Sequence, residues 1–140
     1  MNLRQQLVEI SLKWQAKYGV APQVTSALSE YDAAMLIGAT EDEYSKHMQN
    51  QTAVTKGVDF VYNNKRYQVK ANRPSGKRGS AVTLVSKAKN YEWDFLIWVL
   101  YNTTYNIQEA WLWPVDRYKA EYDSVKRLSP DHMRKGKRLK

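Results

Sequence analysis

Asp59, Gln68 and Lys70 lie within "VDFVYNNKRYQVKAN" (58–72), where apolar and polar residues alternate on both sides of an Asn63-Asn64 pair. Asparagine tolerates positive φ better than any residue but glycine, so the pair suits the two central positions of a type I′ turn. That turn would fix the register of a hairpin. Asp59 then falls opposite Gln68, and Lys70 lies two residues along the same face, roughly 7–8 Å away on the diagonal. The other face carries Val58, Phe60, Tyr62, Tyr67 and Val69, apolar surface for helices to cover. A carboxylate, an amide oxygen and the backbone carbonyl of Val69 are hard oxygen donors of the kind Mg²⁺ takes, with phosphate and water completing an octahedron. Mn²⁺ suits the same donors. Such a cation polarises a phosphate and activates a water, and the Lys70 ammonium is a point charge suited to orient that water or to stabilise charge on phosphorus.

These residues resemble the signature of the PD-(D/E)XK, or restriction-endonuclease-like, nuclease superfamily. There, an acid on one hairpin strand is followed by an acid-x-Lys triplet on the next, often with a glutamate from a preceding helix. Here "VDF" supplies Asp59, "QVK" supplies Gln68 and Lys70, and "LSEYDAA" supplies Glu30 as the helical carboxylate. Gln68 departs from the strict pattern and removes one negative charge, which gives Glu30 more weight. The resemblance covers roughly residues 25–113. It implies an α/β fold with a restriction-endonuclease-like core, a small mixed β-sheet flanked by helices. It also implies a Mg²⁺-dependent endonuclease, restriction- or homing-type, hydrolysing DNA phosphodiester bonds. Asp59, Gln68, Val69 and Glu30 would surround the metal and Lys70 would assist catalysis. One such site cuts one strand, so cleavage of double-stranded DNA implies a homodimer whose two-fold matches the duplex. The alternative is a non-catalytic nucleic-acid-binding protein with a degenerate nuclease fold.

Positioning these residues requires a definite order of elements. Leu3, Leu7, Ile10 and Trp14 form one stripe of a helix over 2–18 that Gly19 would terminate. After a connector to residue 24, Thr25 or Ser26 would cap a second helix through about Ile37, with Leu28, Tyr31 and Met35 inward and Gly38 as its stop. "TEDE" (40–43) reads as a capping box for a short helix to about Met48, followed by a polar loop. Beyond the hairpin, "RPSGKRGS" reads as a mobile loop. Residues 80–91 are expected to be a short crossover helix. "DFLIWVLY" (94–101) is apolar at consecutive positions, the pattern of a strand buried on both faces. "IQEAWLWP" (107–114) alternates as a further strand, with Trp111 and Trp113 packing on one face. A helix over 115–123 and a short turn or helix from Ser129-Pro130-Asp131 precede a basic tail over 129–140.

The chain has 140 residues, 43% hydrophobic and 26% charged, which bounds it to one globular domain over 1–140. Its formal charge is +8 and is concentrated in two places. Arg134, Lys135, Lys137, Arg138 and Lys140 crowd the last seven positions, and Arg73, Lys77 and Arg78 lie in the segment after Lys70, leaving the remainder formally neutral. Concentrated positive charge points to a polyanion, because phosphate neutralisation with counterion release is the main sequence-independent source of nucleic-acid affinity. Arg73, Lys77 and Arg78 are expected to clamp DNA phosphates, and the tail residues Arg134, Lys135, Lys137 and Arg138 to add contacts, ordered only on DNA. There is no cysteine, which excludes disulfides, thiolate zinc sites and cysteine nucleophiles. "MNLRQQLVEISLKW" lacks the apolar core of a secretory signal, and "FLIWVLY" is too short to span a bilayer, so a cytoplasmic protein without membrane contact is expected. "SGKRGS" lacks P-loop spacing. His47 and His132 have no metal-ligand spacing and read as surface residues, and the acids at 41–43 answer the helix dipole.

Overall fold

The computed structural model describes residues 1–51 and 58–140. The polar loop expected before the hairpin falls at 52–57, outside the described residues. Elsewhere the elements run α1 (Leu3–Tyr18), α2 (Thr25–Leu36), α3 (Glu41–Gln49), β1 (Phe60–Tyr62), β2 (Lys65–Asn72), β3 (Phe95–Tyr101), β4 (Ile107–Pro114), α4 (Val115–Tyr122), α5 (Pro130–Met133) and β5 (Lys137–Arg138). The strands make one sheet in the order β1-β2-β3-β4-β5, with β2 and β3 parallel and the other neighbours antiparallel. The architecture is thus mixed α/β, a five-stranded mixed sheet covered by helices.

The apolar run of β3 explains the layering. Ile97, Val99 and Tyr101 point into a core beneath α1, α2 and α3, joined there by Leu28, Ala33, Ala34, Phe60, Tyr67 and Val69. Leu96 and Trp98 point the other way, into a second core with Trp93, Trp113, Tyr118, Tyr122, Leu128 and Met133. A strand whose both faces are buried needs cover on both sides, and the helices before and after the sheet supply it. No helix among the described residues is long and apolar enough to cross a membrane.

Several local expectations are met. Asn63 (φ 48°) and Asn64 (φ 63°) occupy the left-handed region, and Phe60 pairs with Tyr67, Val61 with Arg66 and Tyr62 with Lys65, the register of a two-residue type I′ hairpin. On the core face of that hairpin, Phe60 stacks on Tyr67 with ring centroids 4.9 Å apart, and Tyr67 on Phe95 at 5.5 Å. This aromatic ladder holds Tyr67 of β2 in the core, with Gln68 and Lys70 alternating to the other face. Thr40 and Glu43 form the capping box of α3.

Other expectations are corrected. In α1 the stripe turns away from the body: Leu3 is 79% exposed, Ile10 60% and Trp14 52%, while Leu7, Val8 and Leu12 pack on the core. The helix is rotated because Arg4 must reach Asp32, which is buried in α2. Its Nε and Nη2 donate to the two carboxylate oxygens at 2.6 and 2.8 Å, Nη2 also bonds the Tyr105 carbonyl, and the Tyr101 hydroxyl donates to Asp32. Neither Thr25 nor Ser26 caps α2. Val24 occupies the cap position and makes no side-chain capping bond.

Residues 80–91 are irregular rather than helical, with a single isolated bridge at Val85. Val85 bridges to Leu128, and the Ala88 N–H donates to the Tyr118 hydroxyl, so this stretch satisfies its backbone against neighbours instead of within a helix. The basic tail is ordered without a partner. β5 pairs with β4, the Leu139 N–H donates to the Ala110 carbonyl and the Ala110 N–H to the Lys140 carbonyl, covering an edge that β4 would otherwise leave open. His47 is no idle surface residue, since its Nε2 accepts the Val61 N–H at 3.1 Å and ties α3 to the hairpin.

Candidate active site

The parallel pairing of β2 with β3 settles which way the hairpin's polar face looks. Tyr67 and Val69 register with Phe95 and Ile97 on the helix-covered side, whereas Gln68 and Lys70 register with Leu96 and Trp98 on the other. Over β3 that second side is filled by the Trp93 and Trp113 core, while β1 pairs with β2 only as far as Tyr67, and a cleft of about 340 Å³ lies along the unpaired edge of β2 beyond it. The cleft is lined by Thr25, Ser26, Ser29 and Glu30 of α2, by Asp59, by Gln68, Val69, Lys70 and Ala71 of β2, and by Ser86. Glu30, Asp59, Gln68, Val69 and Lys70, nominated from three separate stretches of sequence, therefore share one concavity.

Asp59 sits just before β1, where the ladder is ending. Its N–H donates to the Tyr67 carbonyl at 2.8 Å, and its carboxylate accepts the Val69 N–H at 2.7 Å. The N–H and C=O of one strand residue point to the same side, so the Val69 carbonyl faces the same edge as Asp59. Glu30 reaches this point from the first turns of α2, and its carboxyl hydrogen-bonds that of Asp59. Two carboxyls in a partly dry site do not both ionise easily. Burial first, then the Asp59 charge and the shared hydrogen bond, push Glu30 up to about 7. Asp59 is also raised by burial, but the Val69 N–H, the Lys70 charge and the Glu30 hydrogen bond oppose that rise. Of the two carboxyls, Glu30 is the one pushed up to about 7, mainly by burial.

Lys70 is half-buried in the cleft, and desolvation lowers its pKa despite the opposing pull of Asp59. Among the described residues no three His, Cys, Asp or Glu side chains converge as a metal cluster; Gln68 stands where the resemblance has an acid. The donors at hand are two carboxyls, one amide oxygen and one backbone carbonyl. They fit a hard divalent cation: all are oxygens, and two of the donors are carboxyls lining one polar cleft.

A larger groove of about 510 Å³ lies between α1, α2 and α3, lined by Leu7, Leu28, Tyr44 and Met48 among others. It is mainly apolar, and its charged residues are already engaged, Arg4 with Asp32 and Glu41 with the Tyr31 hydroxyl. The smaller cleft, by contrast, is mostly polar.

The basic residues are placed less uniformly than their sequence clusters suggested. Arg73 is spent on structure: its guanidinium lies over the Tyr105 ring at 4.3 Å and bonds the Thr103 carbonyl and Gln15. Lys77 and Arg78 are exposed and make no ion pair among the described residues. In the tail, Arg134 binds Glu109 with two bonds of 2.7 and 2.8 Å and pairs with Asp131. Arg138 lies over the Trp111 ring. Lys135 and Lys137 are exposed. Sequence reasoning passed over Ser86, because a helix was expected where an irregular segment runs past the cleft. No protein-family model matches the chain, and no curated protein is similar to it.

Proposed function

We propose that the chain is a Mg²⁺-dependent endonuclease of the restriction-endonuclease-like kind, hydrolysing DNA phosphodiester bonds in the cleft between α2 and the β1-β2 hairpin. The observation that carries this reading is the meeting of Glu30 with Asp59 beside Gln68, Val69 and Lys70. A hairpin that merely packs has no reason to draw a second carboxyl from a helix into a site where burial penalises its charge.

In this reading Glu30, Asp59, the Gln68 amide oxygen and the Val69 carbonyl hold Mg²⁺. When bound, the ion supplies Lewis acidity toward a phosphate oxygen and the attacking water. Asp59 is held in position by the Val69 N–H, so its free oxygen is preorganised. Glu30 must give up its proton for the site to load. Lys70 donates hydrogen bonds to the attacking water or to a phosphate oxygen, and its depressed pKa suits an ammonium that also relays a proton. Lys77, Arg78, Lys135 and Lys137 supply exposed charge for the phosphate backbone. Two copies of the chain, one per strand, would cut a duplex.

Nicking of a supercoiled plasmid tests the proposal. Cleavage should require Mg²⁺, stop with EDTA, and fall by about a hundredfold or more in Asp59→Ala and Lys70→Ala. Gln68 favours one competing reading, a nucleic-acid-binding protein that has lost catalysis with its third acid. Salt-sensitive DNA binding without Mg²⁺-dependent cleavage would establish that reading instead.

A further inference from the structure

Apolar exposure is concentrated on one element. Among the described residues, the large apolar side chains left exposed are Met1, Leu3, Ile10, Trp14, Tyr18, Val20 and Leu84, and all but Leu84 belong to α1 or its flanks. Leu3, Ile10, Trp14 and Tyr18 recur at helical spacing and form one stripe, with the half-buried Leu7 along its inner edge. These four residues expose on the order of 500 Å², the apolar share of a standard interface, which covers about 800 Å² per partner and is a little over half apolar. The two ends of the stripe differ in shape. At the C-terminal end the Trp14 and Tyr18 rings stand out together, their centroids 4.7 Å apart. At the N-terminal end Leu3 and Leu7 form one wall of the apolar groove of about 510 Å³ that Leu28, Tyr44 and Met48 complete.

We infer that a second copy of this chain covers the stripe, the two α1 helices packing antiparallel about a two-fold axis level with Ile10. The stripe is nearly symmetric about that point, with Leu7 and Trp14 to either side and Leu3 and Tyr18 beyond them. Antiparallel packing therefore brings Trp14 and Tyr18 of each copy level with Leu7 and Leu3 of the other, at the mouth of its groove. A projecting end meets a recessed end twice, as an isologous contact requires. Both halves of the fit are carried by the chain itself, which self-association demands and a foreign partner does not. Charge agrees with this direction. Glu9 and Lys13, an exposed ion pair beside the stripe, come level with Lys13 and Glu9 of the second copy, so opposite charges flank the contact. Parallel helices would instead set Lys13 beside Lys13 and Lys17 beside Lys17. The pairing supplies the two copies that double-strand cleavage needs, but it rests on α1 and not on the nuclease reading of the cleft.

Sedimentation velocity of the full chain at micromolar concentration, without DNA or metal, tests the assignment and should give twice the chain mass. Ile10→Lys and Trp14→Lys, both at exposed positions, should keep the far-ultraviolet circular dichroism of the wild type while weakening association about a hundredfold. Glu9→Lys and Lys13→Glu should each weaken self-association several-fold. An equimolar mixture of those two variants should form a heterodimer of wild-type strength, because every charge pair across the contact is then opposite in sign. A monomeric wild type, or a dimer indifferent to Ile10→Lys and Trp14→Lys, would overturn the inference. A dimer whose Glu9→Lys and Lys13→Glu chains do not prefer each other would overturn the antiparallel arrangement. A monomer that still nicks plasmid with Mg²⁺ would sink the dimer and keep the nuclease reading, whereas a dimer that does not nick would do the reverse.

Discussion

Glu30 and Asp59, delivered by a helix and by the residue before a hairpin, bring two carboxyl groups into one cleft, where burial and the Asp59 charge push Glu30 up to about 7. Nothing in the packing of α2 demands this contact. Asp32, two residues further on, turns inward and is neutralised by Arg4, whereas Glu30 turns toward the cleft and meets a like charge. One helix thus carries one acid that is compensated by the fold and one that awaits compensation from outside it.

Loading with metal should therefore release a proton. Below about pH 7 Glu30 is protonated, and a divalent cation must displace that proton to bind. Calorimetric titration of Mg²⁺ at pH 6 in buffers of different ionisation enthalpy should show close to one proton released per site, declining toward none above pH 8. Apparent affinity should rise as pH increases through 7. Glu30→Gln should abolish both effects. Equal proton release by wild type and Glu30→Gln would mean that Glu30 is not the group displaced.

The same proton makes the metal-free protein less stable in base. Between the ordinary carboxylate range and about 7, folded Glu30 binds more protons than unfolded Glu30, so stability falls as pH rises through that window and the penalty is complete above it. The full shift would correspond to roughly 3 kcal/mol, and partial exposure of Glu30 reduces this to about 1–2 kcal/mol. Urea denaturation in EDTA should find Glu30→Gln more stable than wild type by that amount at pH 8.5 and nearly equal to it at pH 4.5. Added Mg²⁺ should reverse the order at pH 8.5.

Asp32 should behave in the opposite way. It is 4% exposed and receives two bonds from Arg4 and one from Tyr101. Removing it leaves a guanidinium partly buried without its counter-charge, so Asp32→Ala should cost about 3–5 kcal/mol in urea at any pH between 6 and 8.5. Its Mg²⁺ affinity, measured at a temperature where the variant is still folded, should match wild type. A loss below 1 kcal/mol would show that the Arg4 contact is not what sets the rotation of α1.

That rotation illustrates what the sequence conveys and what it conceals. The Asn63-Asn64 pair determines the hairpin register locally, and seven consecutive apolar residues mark β3 as a central strand, so the relation of Asp59 to Gln68 and Lys70 was legible. The α1 helix has apolar residues on two sides, Leu3, Ile10 and Trp14 on one and Leu7, Val8 and Leu12 on the other. Choosing between them depends on Arg4 meeting Asp32, a contact between distant segments that periodicity does not encode. The tail and Arg73 were misjudged for a related reason. Charge suggested solvent or DNA, but an open β4 edge and the Tyr105 ring were waiting for those residues inside the protein. Residues 80–91 were expected to be helical because their backbone partners, Leu128 and Tyr118, lie far along the chain.

Gln68 allows a test by gain of function, which damage to the fold cannot imitate. It lines the same cleft as Asp59 and Glu30, and a carboxylate there would complete a three-acid site. In the absence of metal, Gln68→Glu adds charge where burial already keeps Glu30 protonated, so the variant should be less stable than wild type in EDTA at pH 8.5. With Mg²⁺ the same charge becomes attractive. Affinity should tighten about tenfold, equivalent to about 1.4 kcal/mol, and the Mg²⁺ concentration for half-maximal plasmid nicking should drop in proportion. Gln68→Ala should move both quantities the other way without destabilising the metal-free protein. If Gln68→Glu and Gln68→Ala shift the Mg²⁺ requirement in the same direction, the position 68 side chain is not a ligand, and the cation site must be rebuilt from Glu30, Asp59 and the backbone alone.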